Sequence, residues 1–374
     1  MTRYKHSRLI DALCISALIG VSACSQQQEA DVSSLLSDTE ITFSLSEWTP
    51  IVQSRAAIFE GKDSLWLDPR QGGGNFTLYA YTDATAETYI NGVRGWYFKE
   101  LGEWWMLDGN KEPVTYYWPN SAKLNFFAYM PDSKYNDSDG YKSKPTYVTI
   151  DSYTKDSGQT FSCALPSKVS NAASTDDFVA NSEIQEFIYA YETDKEKQIA
   201  PVELHFKHPF ALINFRLKSG SYRMTIHNFT FDTIHLNGKF STKTGEWSLP
   251  SDEGKTSYIA GIDKRVPGSD DNNPDNNVNY NSNLSDWFVV LPQDLTGVTL
   301  TLNATRTLEN TSESNKNDTI KSTYSFKDGD KWEPGYRYIY TISHGDNQEE
   351  IYFNVEVEKW EKWEIGYEHN IDVE

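Results

Sequence analysis

The sequence predicts an all-β protein built as two antiparallel β-sandwich domains in tandem. Three observations carry that expectation. Aromatic residues make up 14% of the 374 residues, with 23 Tyr and 11 Trp, although only 38% of the chain is hydrophobic. Large amphipathic rings suit half-buried pleated surfaces. Apolar residues recur at period two over short runs, with Asp, Asn, Gly, Ser and Thr gathered between them, as strands and turns require. Long stretches of helical period are missing, so strands are expected to pair with one another rather than alternate with helices. The length suits roughly two domains of ordinary size.

The first residues are not fold material. Arg3, Lys5 and Arg8 precede an apolar run, Leu9 to Val21, that is interrupted once by Asp11. Small residues and a cysteine follow, Val21-Ser22-Ala23-Cys24. Residues 1–23 therefore read as a signal peptide, too short in its apolar part to span a bilayer. The cysteine directly after the small residues resembles the bacterial lipobox, in which Cys24 becomes the lipidated first residue of the mature chain. Residues 24–38 form a polar tether. Cys14 lies in the signal and Cys24 would carry lipid, so Cys163 alone is left and no internal disulfide is expected.

From Glu40 the period turns to two. Ile41, Phe43 and Leu45 alternate with Thr42 and Ser44 as in a half-buried strand. Phe76 to Tyr81 follows the Gly72-Gly73-Gly74 turn. Val114 to Trp118 and Leu124 to Tyr129 read as strands joined by a Pro119-Asn120-Ser121 turn, within a stretch unusually dense in aromatics. Tyr147 to Ile150 is a further strand; Ser182 to Tyr191 reads equally as strand or short helix. The charged segment Glu192 to Ala200 sets a boundary, giving domains at 39–199 and 200–374. Beyond it, strands are expected at Leu204–Leu217, Tyr222–Phe231, Lys239–Leu249 around a Thr244-Gly245 turn, Trp287–Leu291, Val298–Asn303, Ser322–Phe326, Tyr336–Ser343 and Ile351–Val357. Residues 251–286 read as a long polar loop, mobile over Gly268 to Ser282.

A formal charge of −20 argues against nucleic acid, whose phosphates need clustered Lys and Arg, and suits a self-repelling soluble surface. No HExxH, GxSxG, P-loop or GxGxxG motif occurs, so no catalytic residue is assigned and no enzyme is expected. His205 and His208 are three apart, on opposite faces of an extended strand. His227 and His235 lack zinc-like spacing. The stretch Asn136-Asp137-Ser138-Asp139-Gly140 fails as an EF-hand, because Tyr135 and Thr146 fall on its first and twelfth ligand positions. Asp270 to Asn277 reads as solvated loop. No metal and no cofactor is expected.

Several segments carry a resemblance. The stretch YWPNSAKLNFFAYMP, Tyr117 to Pro131, places a Trp-Pro turn between a Tyr-rich strand and a Phe-Phe-Ala-Tyr-x-Pro strand. It resembles the Bacteroides-type fimbrillin family, the Mfa-like pilins of the Bacteroidetes. Five further segments are similar in the same order: Glu40 to Phe43, Ser54-Arg55-Ala56, Leu204 to Leu217 with Phe206-Lys207-His208, Trp332 to Tyr338, and Phe353 to Trp360. One departure is the tail, which runs past Trp360 as EKWEIGYEHNIDVE.

The resemblance implies two transthyretin-like sandwich domains and a lipoprotein exported to the outer membrane and cell surface. It implies a role as structural subunit, anchor or tip of a pilus. In polymerising members a trypsin-like protease cuts after an Arg near the first strand, and a strand from the next subunit fills the groove that opens. Carried onto this chain, Ile41, Phe43 and Leu45 are the displaced strand, and Arg55 or Arg70 is the processing site. The donor strand is Ile351, Phe353, Val355 and Val357, unless that strand completes its own domain. The physics is strand addition, and head-to-tail contacts of this kind do not close. Expected partners are other pilin subunits, and the outer membrane through lipid on Cys24. A monomeric surface lipoprotein that binds a glycan or host protein is the alternative reading.

Overall fold

The computed structural model describes residues 39–45, 76–98, 103–110, 112–130, 147–171, 177–184, 187–219, 224–266, 282–307, 317–344 and 351–359. Cys24, Arg55, Arg70, the Asn136–Gly140 stretch, nearly all of the Gly268–Ser282 loop and the tail from Trp360 lie outside the described residues.

In chain order the strands are β1 (Phe43–Leu45), β2 (Phe76–Thr82), β3 (Thr88–Phe98), β4 (Glu103–Leu107) and β5 (Leu124–Met130). Next come β6 (Val148–Thr154), β7 (Gly158–Ala164), β8 (Lys168–Ser170), β9 (Val179–Ala180), β10 (Ile188–Lys195) and β11 (Val202–Leu204). Then follow β12 (Ala211–Ser219), β13 (Met224–Ile234), β14 (Asn237–Ser241), β15 (Glu246–Ser248), β16 (Thr256–Val266) and β17 (Ser282–Asn283). The last are β18 (Phe288–Val290), β19 (Gln293–Asp294), β20 (Thr299–Thr307), β21 (Asn317–Ser325), β22 (Lys331–Trp332), β23 (Tyr336–His344) and β24 (Ile351–Lys359). Among the described residues the only helical turns are two short 3-10 turns, Asn181–Glu183 and Asp252–Gly254. The chain is all-β.

The central sheet, in order β10-β5-β2-β3-β4, is antiparallel throughout. Strands β2, β5 and β10 are apolar on both faces, and period two sorts their side chains into two cores. Phe76, Leu78, Ala80, Leu124, Phe126, Ala128, Met130, Ile188 and Ala190 face one cluster. Tyr81, Phe127, Tyr129 and Tyr189 face the other. All seven residues of β5 are buried for this reason, which accounts for the aromatic density of its sequence. Gly95 lies opposite Phe76; a Cβ there would meet the Phe76 ring at 2.1 Å, so glycine lets the ring lie over the backbone.

On the second face, Tyr129 packs on Phe187 and Phe187 on Phe161. Phe161 in turn meets Phe240 and Trp247 from the sheet β15-β14-β7-β6. Farther along, the sheet β21-β20-β13-β16-β8-β9 packs against the sheet of β17 and β18 with β12-β23-β24. Phe215 stacks on Phe229 at 3.8 Å, and the Trp332 indole N–H donates to Tyr340 Oη at 2.8 Å.

The pairings and strand limits differ in detail from the sequence expectations. Four pairings are parallel: β1 with β11, β12 with β23, β16 with β8 and β8 with β9. Pairing also crosses the charged segment 192–200. β11 beyond it pairs with β1, and β7 and β8 ahead of it pair with β14 and β16. Val114 to Trp118 forms no continuous strand, because it changes partner midway. Val114 N–H donates to Met106 O, whereas Tyr116 and Trp118 bond residues 41 and 39. Leu204–Leu217 breaks between β11 and β12, and Ser182–Tyr191 divides into a 3-10 turn and the start of β10. The polar stretch from Ser251 contains β16, whose Tyr258, Ala260 and Ile262 point inward while Thr256, Asp263, Lys264 and Arg265 stay exposed.

Candidate functional site

Residues 39–45 lie in a slot, and the slot is built from three elements. Its floor is one face of the central sheet. Phe43 meets Phe126 edge to face at 5.6 Å, and Ile41, Phe43 and Leu45 are only 4–8% exposed. Between them Thr42 is exposed and Ser44 half-buried. The alternation read from sequence is therefore the alternation of slot and solvent.

One wall is the segment 116–118. Ile41 N–H donates to Tyr116 O at 2.8 Å and Trp118 N–H donates to Thr39 O at 2.9 Å, on either side of the antiparallel pair Glu40–Tyr117. The wall is tied down by Tyr89, whose hydroxyl donates to Tyr117 O at 2.6 Å. Trp118 is 3% exposed and edge-on to Phe126 at 5.9 Å. Its indole Nε1–H is buried and, among the described residues, has no acceptor. Burial also pushes the nearby Tyr116 phenol upward, with Asp108 adding to the effect.

The other wall is β11, parallel to β1 with Phe43, Ser44 and Leu45 beside Val202, Glu203 and Leu204. Val202 N–H donates to Thr42 O at 2.8 Å. Its anchor is the Glu192 carboxyl on β10. Glu192 Oε1 lies 2.8 Å from His205 Nδ1 and accepts from His205 N–H at 3.1 Å, and Glu192 Oε2 lies 2.9 Å from Lys195 Nζ. Burial pushes the Glu192 carboxyl up, but the bonds from Lys195 and His205 outweigh it and hold the group below the usual carboxylate value. Tyr189 and Lys207 exchange backbone bonds of 3.1 and 2.7 Å just beyond.

The slot thus places Ile41, Phe43 and Leu45 together, as their period required. Sequence reading assigned neither wall. Val202, Leu204 and Phe206 alternate directly after the charged segment, and that was the available signal. The second set of predicted residues lies elsewhere. β24 pairs antiparallel with β23 in its own chain and is, among the described residues, the last strand of its sheet. Phe353, Val355 and Val357 are half-buried against the larger core; the side chain of Ile351 is outside the described set. Of the histidines, His205 is exposed and His208 buried, His227 bonds Asp263 and Thr305, and His235 is buried beside Gln293. Among the described residues no cluster of three or more His, Cys, Asp or Glu could hold a metal ion. Cys163 is a buried free thiol, its ionisation suppressed by burial. No described helix is long and apolar enough to cross a membrane.

Residues 68–360 match the profile of a family described as fimbrillin-like. The matched region includes β24 and starts beyond β1. Among solved structures, a fimbrial protein from Bacteroides vulgatus is similar at 14% identity and a TM-score of 0.55, over 86% of this chain and 99% of that one. A Bacteroides uniformis protein named for cell adhesion gives 15% identity and a TM-score of 0.47, over 86% and 100%. The tip fimbrial protein Mfa3 from Porphyromonas gingivalis gives 8% and 0.38, over 77% and 94%. The first of these likenesses establishes a shared fold. No curated protein matches the chain.

Proposed function

The chain belongs to the fimbrillin-like family, and we propose that it is a component of a cell-surface pilus that assembles by strand exchange at the β1 slot. The observation that carries the proposal is the slot itself: a strand of three ladder residues, each second side chain buried, held between two walls that are anchored independently of it. Arg55 and Arg70 both fall in the connection from β1 to β2. A cut at either frees β1 covalently from the chain that follows it and leaves it held by side-chain burial and by backbone bonds to residues 116–118 and 202–204.

Loss of β1 would expose Phe126 and the rest of the slot's apolar floor. It would also strip partners from Ile41's and Thr42's neighbours, Tyr116 O and Val202 N–H. An entering strand with apolar residues at every second position satisfies both deficits at once. Burying three such side chains contributes roughly 1.5–3 kcal/mol each. The C-terminal strand, with Ile351, Phe353, Val355 and Val357, is the proposed donor. Donation of this kind is head-to-tail and builds a filament. Lipid on Cys24 would hold the precursor at the outer membrane. No catalytic role belongs to this reading.

Limited trypsin treatment of the purified protein tests it, with the cut site read by mass spectrometry and oligomers by SDS-resistant laddering. A cut between Leu45 and Phe76 followed by a ladder is the expected result. A protein cut there that stays monomeric would overturn strand exchange and favour a surface protein that binds a glycan or host protein.

A further inference from the structure

The slot wall contains a polar group that β1 does not satisfy. Trp118 is almost wholly buried, yet its Nε1–H has no acceptor among the described residues, so its desolvation is uncompensated there. The pairing identifies which residue of the strand faces it. Backbone bonds flank the Glu40–Tyr117 pair on both sides, so Thr39 lies directly opposite Trp118. By alternation, position 39 shares its face with Ile41, Phe43 and Leu45. The threonine hydroxyl there does not accept from the indole.

The chain carries the pattern of β1 a second time. Residues 40–45 read Glu-Ile-Thr-Phe-Ser-Leu, and residues 350–355 read Glu-Ile-Tyr-Phe-Asn-Val. In the register that superimposes the two, the place of Thr39 is taken by Glu349. A carboxylate reaches farther than a threonine hydroxyl and is an acceptor only, and bonds to a charged acceptor are the stronger kind. We infer that Trp118 is the specificity-determining residue of the slot. It selects the C-terminal strand of a second copy of this chain, in the one register that sets Glu349 against its indole N–H. β1 supplies the apolar anchors without the polar one, and so is the poorer occupant at that point. A strand slipped by two residues would keep apolar contacts and lose the acceptor, because Ile351 would then face Trp118. The inference rests on the strand-exchange reading given above.

Peptides spanning residues 347–358 test it, since they contain no Lys or Arg and survive the protease. They also separate the preference of the slot from release of β24 by β23. Fluorescein-labelled parent, Glu349→Gln and Glu349→Ala peptides would be titrated by anisotropy into protein cut between Leu45 and Phe76, with the native Trp118 or with Trp118→Phe. The parent is expected to bind most tightly, the Gln peptide, whose amide oxygen still accepts, several-fold more weakly, and the Ala peptide roughly tenfold more weakly than the parent. Against Trp118→Phe all three should bind alike. Equal binding of the Ala peptide to the Trp118 protein would overturn the assignment while leaving strand exchange standing, as would discrimination that persists in Trp118→Phe. Failure of every peptide to enter the cut protein would overturn strand exchange and the assignment together.

Discussion

β1 and β24 have nearly the same sequence pattern and are held in opposite ways. β1 contributes three residues to its ladder, and its apolar side chains are almost completely buried. β24 contributes nine, paired with β23 from Tyr336–Lys359 to His344–Ile351, and its apolar side chains are half-buried. Side-chain fit therefore holds the first strand, and backbone pairing holds the second. A ladder of backbone bonds tolerates many sequences, whereas a fitted apolar slot admits whatever presents the same side chains at the same spacing. The region held by fit is the one the proposed function assigns to exchange.

Substitutions can break or sharpen this contrast. The largest expected effect is from Trp118→Ala, which removes a buried ring from the slot wall and should cost about 3–5 kcal/mol in urea unfolding. A near-neutral result would mean that the ring is not part of the core. Next is a matched pair. Phe43→Ala should cost about 3–4 kcal/mol, and Phe353→Ala, half-buried beside Tyr324 at 5.8 Å, about 1–2 kcal/mol. Equal losses would erase the difference between fit and pairing.

Smaller effects concern pH. Glu192 has a folded pKa below its ordinary 4.5. Its contribution is present above that value and is lost as pH falls through the folded one. Glu192→Gln should cost about 1 kcal/mol at pH 7 and flatten the stability profile in acid, loosening the β11 wall first. His235 is depressed by burial and by Lys255, with Asp252 acting against them. The fold favours its neutral form, so this contribution to stability is complete above about pH 6.5 and declines as pH falls below that value. Thermal melts of His235→Asn should lack this part of the slope. The smallest change is expected from Trp118→Phe. It keeps a ring and removes the unsatisfied N–H, and should stay within about 1 kcal/mol of the parent.

Legibility in the sequence followed the physics of each segment. Residues 41–45 were readable because one face meets a slot and the other water, which writes the period directly. β5 was readable as a strand, but its two buried faces were not, since an apolar run does not say what covers it. β3 was missed. Asn91-Gly92 breaks its pattern, with Gly92 at φ +60°, and Gly95 has no side chain to count. β16 was hidden by its exposed polar half. Partner choice was the least accessible, because it is decided between distant segments. Nothing local to Val202–Leu204 announces a parallel pairing with Phe43–Leu45, or to Gly158–Ala164 a pairing with Asn237–Ser241. Trp118 was recognisable as a core ring; its unmet N–H became visible only once its neighbours were placed.

The central claim is that β1 must leave its slot before subunits can join. Glu40 and Tyr117 form an exposed antiparallel pair across that slot, and cysteines at such a pair have the separation a disulfide needs. The measurement is SDS-resistant laddering of the Glu40→Cys, Tyr117→Cys protein after cleavage between Leu45 and Phe76, oxidised and then reduced. The account predicts monomers while the disulfide holds β1 in place and a ladder once it is reduced. A ladder that forms equally in the oxidised protein would contradict it.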